Sequence, residues 1–304
     1  MNEILNRDQH RGPKLLTKDG VDIIDCTCCG FRHISPLPST AKLQQFYRET
    51  FYTEEKVDYL KSAEEDQDWL SSIYNDRFDS FEVLLPSHKR NILDVGCGPG
   101  FFLLTGMQRG FNVTGLEPAP QAAEFARNHG VNVIEGFFST ETIGDIPPQD
   151  VIHMSQVLEH LARPAEALTL AHKLLNPGGL ICISVPNDFN PLQYALVQAE
   201  AYSPWWVVPK HHLNYFDYDS LESLLQRHGF KPLEREASFP LELFLLMGEN
   251  YVEDAEIGKA IHNKRKRLEL TLAEAGFNDV KRSLFKALAQ AGLGRLAIVI
   301  ARKN

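Results

Sequence analysis

The chain has 304 residues, of which 43% are hydrophobic and 23% charged. This composition is typical of a globular protein with room for a core domain of roughly 150–200 residues plus additions. Its 31 basic and 40 acidic residues give a net charge of -9, which argues against nucleic acid or an anionic membrane as the main partner, because both need a basic surface. No apolar run is long enough to span a bilayer and the first residues lack a signal-peptide segment, so we expect a soluble, cytoplasmic protein.

Residues 1–88 differ in pattern from the rest of the chain and are predicted to form a mostly helical, cysteine-containing N-terminal extension. Apolar residues recur at helical spacing from Ala63 to Leu85. An acidic run at the start of this segment and a basic run at His262–Arg267 are each interpreted as solvated helix faces. Binding of an anionic substrate is the alternative for the basic run.

Three of the five cysteines, Cys26, Cys28 and Cys29, lie together in the extension. Their C-x-x-C-G pattern supplies half of the ligands of a zinc site, and His10 or His33 could complete it. Nothing in the spacing requires this, so reduced structural thiols are the preferred interpretation and no metal is predicted.

From Arg90 onward, short apolar strands alternate with helices, which predicts a parallel sheet covered by helices on both faces. This unit, residues 89–304, carries predicted helical insertions near 188–215 and 240–292. Ligands of such sheets bind outside the carboxyl ends of the strands. We therefore expect one cleft to be shared by the loops that begin at Gly96, Glu117, Gln156 and Asn187.

A strand at Ile92–Val95 runs into a loop with glycines at Gly96, Gly98 and Gly100, and a helix follows. Glycines permit a tight turn and a close approach of the backbone to a ligand, and the helix N-terminus offers free N–H groups to an anion. The third glycine comes one residue too early for the nicotinamide fingerprint G-x-G-x-x-G, and the Lys-Ser/Thr ending of a P-loop is absent.

Glu117 lies 19 residues after Gly98, at the end of the next predicted strand. A carboxylate in this position can accept hydrogen bonds from both hydroxyls of a ribose. This indicates a nucleoside-containing ligand without choosing among the adenosine cofactors.

Two further segments, Ser155–Leu161 with its Leu-Glu-His sequence and Leu175–Gly179 with its Asn-Pro-Gly-Gly sequence, follow in register. With these four elements the chain resembles the class I S-adenosylmethionine-dependent methyltransferases, in particular the group with quinone-biosynthesis, small-molecule and glycan methyltransferases. The resemblance covers about residues 90 to 235 and the final segment, 292–303. It implies a Rossmann-like, doubly wound, seven-stranded α/β sheet with S-adenosyl-L-methionine as cofactor.

The resemblance also implies roles for particular residues. Asp94 and the loop backbone should hold the methionine part of the cofactor, and Glu117 should hold the ribose. The segment 136–139 should border the adenine, and Gln156 should line the sulfonium end. The implied cofactor-binding residues are Asp94, Gly96, Cys97, Gly98, Gly100, Glu117, Phe137, Phe138 and Gln156.

Some quinone O-methyltransferases hold a magnesium ion with a Glu-x-x-Glu-His pattern, whereas this chain has Gln156, Glu159 and His160 in those places. A neutral amide is a weak ligand for a hard cation. We therefore expect methyl transfer without a metal.

Three histidines are candidates for the catalytic base: His212, His211 and His160. A neutral imidazole can accept a proton from a hydroxyl or amine nucleophile. The alternative is that these side chains only orient the active-site loop by hydrogen bonds. His212 is preferred over His211.

The predicted function is methyl transfer to a small-molecule or glycan-type acceptor, with O-methylation favoured over N- or C-methylation. Two other classes stay open: a catalytically silent methyltransferase-like partner protein, and a nicotinamide-dependent oxidoreductase. The acceptor's identity and the oligomeric state are left open, because acceptor pockets are built from insertions.

Overall fold

The structure is a computed structural model that describes residues 10–39, 41, 43, 45, 46 and 59–304. The first nine residues, on which the signal-peptide expectation rests, lie outside this part. Across the described ranges, none of the helices combines the length and the apolar composition needed to cross a membrane.

The strands of the described residues belong to two sheets. In chain order they are β1 (Lys14–Lys18), β2 (Val21–Cys26), β3 (Phe31–Ser35), β4 (Asn91–Val95), β5 (Asn112–Glu117), β6 (Val133–Glu135), β7 (Gln149–Ser155), β8 (Leu175–Pro186), β9 (Asn214–Tyr215), β10 (Phe230–Ala237) and β11 (Leu296–Lys303). The central sheet has seven strands in the order β10-β11-β8-β7-β4-β5-β6. Strands β4 to β8 pair in parallel, whereas β11 is antiparallel to both of its neighbours.

Helices flank this sheet. In chain order the described ones are α1 (Tyr59–Glu65), α2 (Gln67–Leu84), α3 (Phe101–Gln108), α4 (Pro120–Asn128), α5 (Thr140–Ile143), α6 (Pro164–Leu174), α7 (Pro191–Ala199), α8 (Tyr218–Arg227), α9 (Glu242–Leu246), α10 (Ala255–Glu274) and α11 (Asn278–Gln290). Two apolar clusters result: α6 and α8 contribute to the first, and α2, α3 and α4 to the second. Because both faces of the central sheet are buried, the sequences of its strands are continuous apolar runs.

The predicted architecture is confirmed: a Rossmann-like, doubly wound seven-stranded sheet with a helical N-terminal region and helical insertions. Helices α1 and α2 belong to the extension. Helix α2 is integrated into the core, since Phe78 and Phe81 are fully buried and the Phe78 ring stacks on Phe102 of α3 at 4.8 Å.

A small antiparallel sheet precedes these helices, and the sequence analysis did not predict it. Its strand order is β1-β2-β3-β9, so the insertion near 188–215 supplies its last strand. Asp19 and Gly20 turn the chain between β1 and β2 with positive φ angles of 53° and 75°. An Asp-Gly pair between two strand-like segments favours a tight hairpin, so this signal was present in the sequence.

The two charged runs are solvated only in part, since most of the acidic run is exposed but Asp66 and half of the basic run are partly buried. Asp66, at the start of α2, accepts hydrogen bonds from His262 and Lys266 of α10 at 2.8 Å and 2.5 Å. The Arg265 guanidinium lies 4.4 Å from the centre of the Trp69 ring. The acidic and basic runs attract each other because the fold places α2 beside α10. These helices are far apart in the sequence, so the sequence analysis did not detect the contact.

Candidate active site

The glycine loop leaves β4 at the carboxyl edge of the sheet and enters α3. Gly96, Gly98 and Gly100 all adopt left-handed φ angles, of 71°, 52° and 80°, which L-residues rarely accept. A Cβ on Gly96 would lie 2.7 Å from Val157 Cγ2, and one on Gly100 would lie 3.0 Å from Ala126 Cβ. A side chain at Gly96 or Gly100 would therefore strain the backbone and collide with its neighbours. The glycines leave the backbone of the loop uncovered on the side of the cleft.

Glu117 ends β5 and closes against this loop. Its Oε2 accepts a hydrogen bond from Gly98 N at 2.9 Å, and its Oε1 accepts one from Ala119 N at 2.9 Å. The side chain is 3% exposed, and burial raises the pKa of its carboxyl to about 7, against the effect of the two N–H bonds. Each carboxylate oxygen has lone pairs for a further donor. Glu117 is thus a brace for the loop as well as a candidate ribose acceptor.

Asp94 lies under the loop and is paired with a histidine that sequence reasoning missed. Its Oδ1 lies 2.7 Å from His153 Nδ1, and both side chains are buried. The His153 ring stacks on Phe102 at 3.9 Å. Strands β4 and β7 pair these two residues directly. A histidine inside the apolar run of β7 was the signal that could have found it.

Two further residues predicted to bind the cofactor are Cys97 and Gln156. The Cys97 side chain is buried in the core, where a Cβ on Gly115 would approach its Sγ to 2.6 Å, so only its backbone belongs to the loop. Gln156 is exposed and has a left-handed φ of 56°, and its N–H donates to Ser184 O at 2.7 Å. Strained non-glycine residues of this kind concentrate at functional sites.

The segment predicted to border the adenine follows the end of β6, beside the end of β5. A pocket there is lined by Pro118, Pro120, Glu135 and Gly136. Phe137 and Phe138 follow it and are half-buried, and Phe138 packs against the first apolar cluster. Glu135, which the sequence analysis did not select, ends β6 and has an ion pair of 3.6 Å with Arg127.

The three candidate histidines come together at the end of β7. His160 Nδ1 donates to the backbone oxygen of His211 at 2.8 Å, and the His160 and His212 rings meet edge to face at 5.1 Å. Because a carbonyl only accepts, the proton of neutral His160 is on Nδ1 and the lone pair is on Nε2. His211 contributes its backbone oxygen to this group, and the rings of His160 and His212 face each other.

Backbone contacts hold this histidine cluster in place. Leu213 N donates to Glu159 O at 2.8 Å, and Asn214 Nδ2 donates to the carbonyls of Leu158 and Leu161 at 3.0 Å and 2.7 Å. The loop before β9 is therefore fastened to the short 3₁₀ turn at Leu158–His160. Its geometry is built by residues more than fifty positions apart.

Two buried carboxyls, Glu159 beside the histidines and Asp188, were not selected as site residues from the sequence. Among the described residues, neither Glu159 nor Asp188 has a hydrogen-bond partner for its carboxylate oxygens, and each is 1% exposed. Burial raises the pKa of Glu159 to about 8 and that of Asp188 to about 7, and their mutual repulsion adds to the rise for Glu159. One ligand atom from each of Glu159, His160 and His212 falls within 4.8 Å of the others, so three metal ligands are geometrically available. Metal independence stays a prediction, based on Gln156.

The family of the chain follows from comparison with known proteins. The methyltransferase domain family matches residues 66–235, which is more than half of the sequence. The chain therefore belongs to this family, and its fold and glycine loop are those of a class I S-adenosylmethionine-dependent methyltransferase. S-adenosyl-L-methionine is the cofactor of this class, and the bare loop backbone and the Glu117 carboxylate fit its methionine and ribose groups.

Individual relatives share only part of their length with this chain. A ubiquinone biosynthesis O-methyltransferase of Cereibacter sphaeroides is 31% identical over 159 residues, which cover 50% of this chain and 64% of that protein. Its counterpart from Pseudomonas aeruginosa is 35% identical over 119 residues, which cover 36% and 51% of the two chains. The chain thus spans between half and two thirds of these relatives. A SAM-dependent methyltransferase from Archaeoglobus fulgidus has the same fold, with a TM-score of 0.51 and 20% identity, covering 81% of this chain and 99% of its own.

Proposed function

We propose that the protein transfers a methyl group from S-adenosyl-L-methionine to an oxygen of a small-molecule acceptor. The observation that carries this proposal is the bond of 2.9 Å between Glu117 and Gly98 N, at the same edge of the sheet as the facing rings of His160 and His212. The O-methyltransferase names of the partial relatives support the choice of oxygen. A glycan-type acceptor is the alternative substrate class.

The cofactor supplies an activated methyl group on a sulfonium centre. In the proposal, the backbone of the glycine loop and Asp94 hold its methionine part, and Glu117 accepts the ribose hydroxyls. Phe137 is assigned to the adenine, because Phe138 is already packed against the core. The protein's main contribution is to hold acceptor and cofactor in line.

His212 is our choice for the base that takes the proton of an acceptor hydroxyl. His160 acts as a positioning residue: its Nδ1 bond to His211 O fixes its ring, and that ring packs against the edge of His212. A positioned base contributes typically about 10²–10⁴-fold to the rate. Only neutral imidazole can accept the proton, so the rate should rise with pH through the titration of the histidine.

Calorimetry with S-adenosylhomocysteine and with NAD tests the cofactor assignment. We expect the first to bind and the second not to bind. Binding of NAD alone would support an oxidoreductase, and binding of neither ligand would support a catalytically silent protein. Methyl transfer from radiolabelled cofactor to a panel of phenols, amines and oligosaccharides then identifies the acceptor class.

Kinetics of histidine variants test the base. His212→Ala should lower kcat by at least about 10²-fold while leaving S-adenosylhomocysteine affinity nearly unchanged. His160→Ala should have a smaller effect, and it should also alter the pH profile of kcat, since it changes the surroundings of His212. The matched control is His88→Ala, because His88 is exposed on the loop before β4. Retained kcat in His212→Ala would end the base assignment and leave positioning alone.

A further inference from the structure

Two thiols and two imidazoles meet in the small N-terminal sheet. His10 precedes β1, Cys26 ends β2, Cys29 lies in the following turn and His33 lies in β3. His10 Nδ1 lies 3.1 Å from His33 Nε2, 3.3 Å from Cys29 Sγ and 3.8 Å from Cys26 Sγ. All four atoms lie within 4.8 Å of one another. This cluster shares no residue with the candidate active site.

The separations match those of a tetrahedral metal site. Zn²⁺ binds imidazole nitrogen at about 2.0–2.1 Å and thiolate sulfur at about 2.3 Å, which places neighbouring ligand atoms about 3.3–3.8 Å apart. The three separations measured from His10 Nδ1 are 3.1, 3.3 and 3.8 Å, so they lie close to this range. Two sulfurs and two nitrogens in a tetrahedron favour zinc over harder cations.

The protonation of His33 also suits a metal ligand. Its Nδ1 donates to the backbone oxygen of Ile34 at 2.8 Å, so the neutral ring has its lone pair on Nε2, the atom that faces His10. Metal-bound histidines usually donate their other ring N–H to a carbonyl or carboxylate in this way.

The backbone is arranged to bring His10 to the cysteines. Thr27 N donates to Arg11 O at 2.8 Å and Asp25 N donates to Pro13 O at 2.9 Å, which fastens the segment after His10 beside the end of β2. This approach requires glycine at position 12, because a Cβ there would lie 1.8 Å from the Asp25 backbone oxygen. The fourth ligand is therefore delivered by a contact that the sequence spacing does not reveal.

We propose that His10, Cys26, Cys29 and His33 form a closed structural site for one Zn²⁺ ion. On binding, each thiol loses its proton to solvent, and two thiolates then balance the two positive charges of the ion. A neutral site of this kind suits a cluster in which Cys26 and His33 are almost fully buried. The proposal replaces the sequence-based preference for reduced structural thiols.

The site would anchor the hairpin that supports the active-site loop. His33 pairs with Asn214 across β3 and β9, and Arg227 Nη2 donates to Cys29 O at 2.5 Å. Asn214 in turn holds the turn at Leu158–His160, as described above. The ion would stabilise the fold here and would not take part in the proposed chemistry.

Metal content of the purified full-length protein tests the site. Elemental analysis after gel filtration should find about one zinc per chain. Cys29→Ser and His33→Ala should each lose most of it, whereas Cys28→Ser should retain it, because Cys28 lies in the same turn but outside the cluster. Equal zinc loss in Cys28→Ser and Cys29→Ser would show that the ligand set is wrong.

Cobalt substitution provides a second readout that does not depend on the variants' folding. Co²⁺ bound to the protein should show the visible absorption bands and thiolate charge-transfer band of a tetrahedral site with two sulfur ligands. Cys29→His, which keeps four ligands, should retain the metal with a shifted spectrum. Protein that contains no zinc, and that takes up neither Zn²⁺ nor Co²⁺ added in chelator-free buffer, would overturn the proposal.

Discussion

Replacement of Glu117 tests the centre of the proposed cofactor site. Glu117→Gln preserves the size of the side chain but removes its charge. It also turns one of the two oxygens that accept from Gly98 N and Ala119 N into an N–H donor. One buried backbone N–H group then faces another donor.

The magnitude follows from these contacts. A hydrogen bond to a charged group contributes about 1.5–3 kcal/mol, and an unsatisfied buried donor costs about 1–3 kcal/mol. Loss of the ribose bond alone predicts a rise in Kd for S-adenosylhomocysteine of about 10-fold to 150-fold, since about 1.4 kcal/mol is tenfold. Misplacement of the loop adds to this loss.

Titration calorimetry measures the affinity, and thermal unfolding by circular dichroism shows whether the variant is folded. Glu124→Gln is the matched control, because Glu124 is exposed on α4 beside the same loop. Adenosine separates the two roles of Glu117. A ribose contact predicts equal losses for adenosine and S-adenosylhomocysteine, whereas a pure brace for the loop predicts a larger loss for the latter. Unchanged affinity in folded Glu117→Gln would refute the reasoning.

Two further predictions concern pH and magnesium. Burial raises the pKa of Glu117 to about 7, and the ionised carboxylate is the better ribose acceptor, so S-adenosylhomocysteine should bind more weakly as pH falls below 7. The Kd should rise by up to about tenfold for each pH unit below 7 and level off above pH 7. Calorimetry from pH 5.5 to 8.5 should find a flatter pH dependence of Kd in Glu117→Gln. Because Gln156 replaces a ligand carboxylate, methyl transfer should persist in magnesium-free buffer. The protein should be desalted rather than treated with chelator, which would also strip the proposed zinc, and activity that required added magnesium would contradict this expectation.

Much of the fold could be predicted because its signals are local. Apolar runs of strand length, helices closed by glycine and their regular alternation reveal a parallel sheet without reference to distant residues. The glycine loop and Glu117 are readable for the same reason: the turn from strand to helix and the length of one β-α unit set their spacing. The hairpin of β1 and β2 carried a comparable local signal in Asp19 and Gly20, which the sequence analysis did not use.

Tertiary structure alone decided which distant residues meet. Strand register pairs Asp94 with His153, and the bonds from Leu213 and Asn214 to the segment at 158–161 bring the candidate histidines together. The same pairing of remote segments places His10 beside His33 and turns three clustered cysteines into a two-cysteine, two-histidine cluster. Such contacts depend on which faces the sheets bury and in which register their strands pair. The hydrophobic periodicity of one segment is compatible with pairing to many other segments. The packing of the whole chain therefore decides which segments pair.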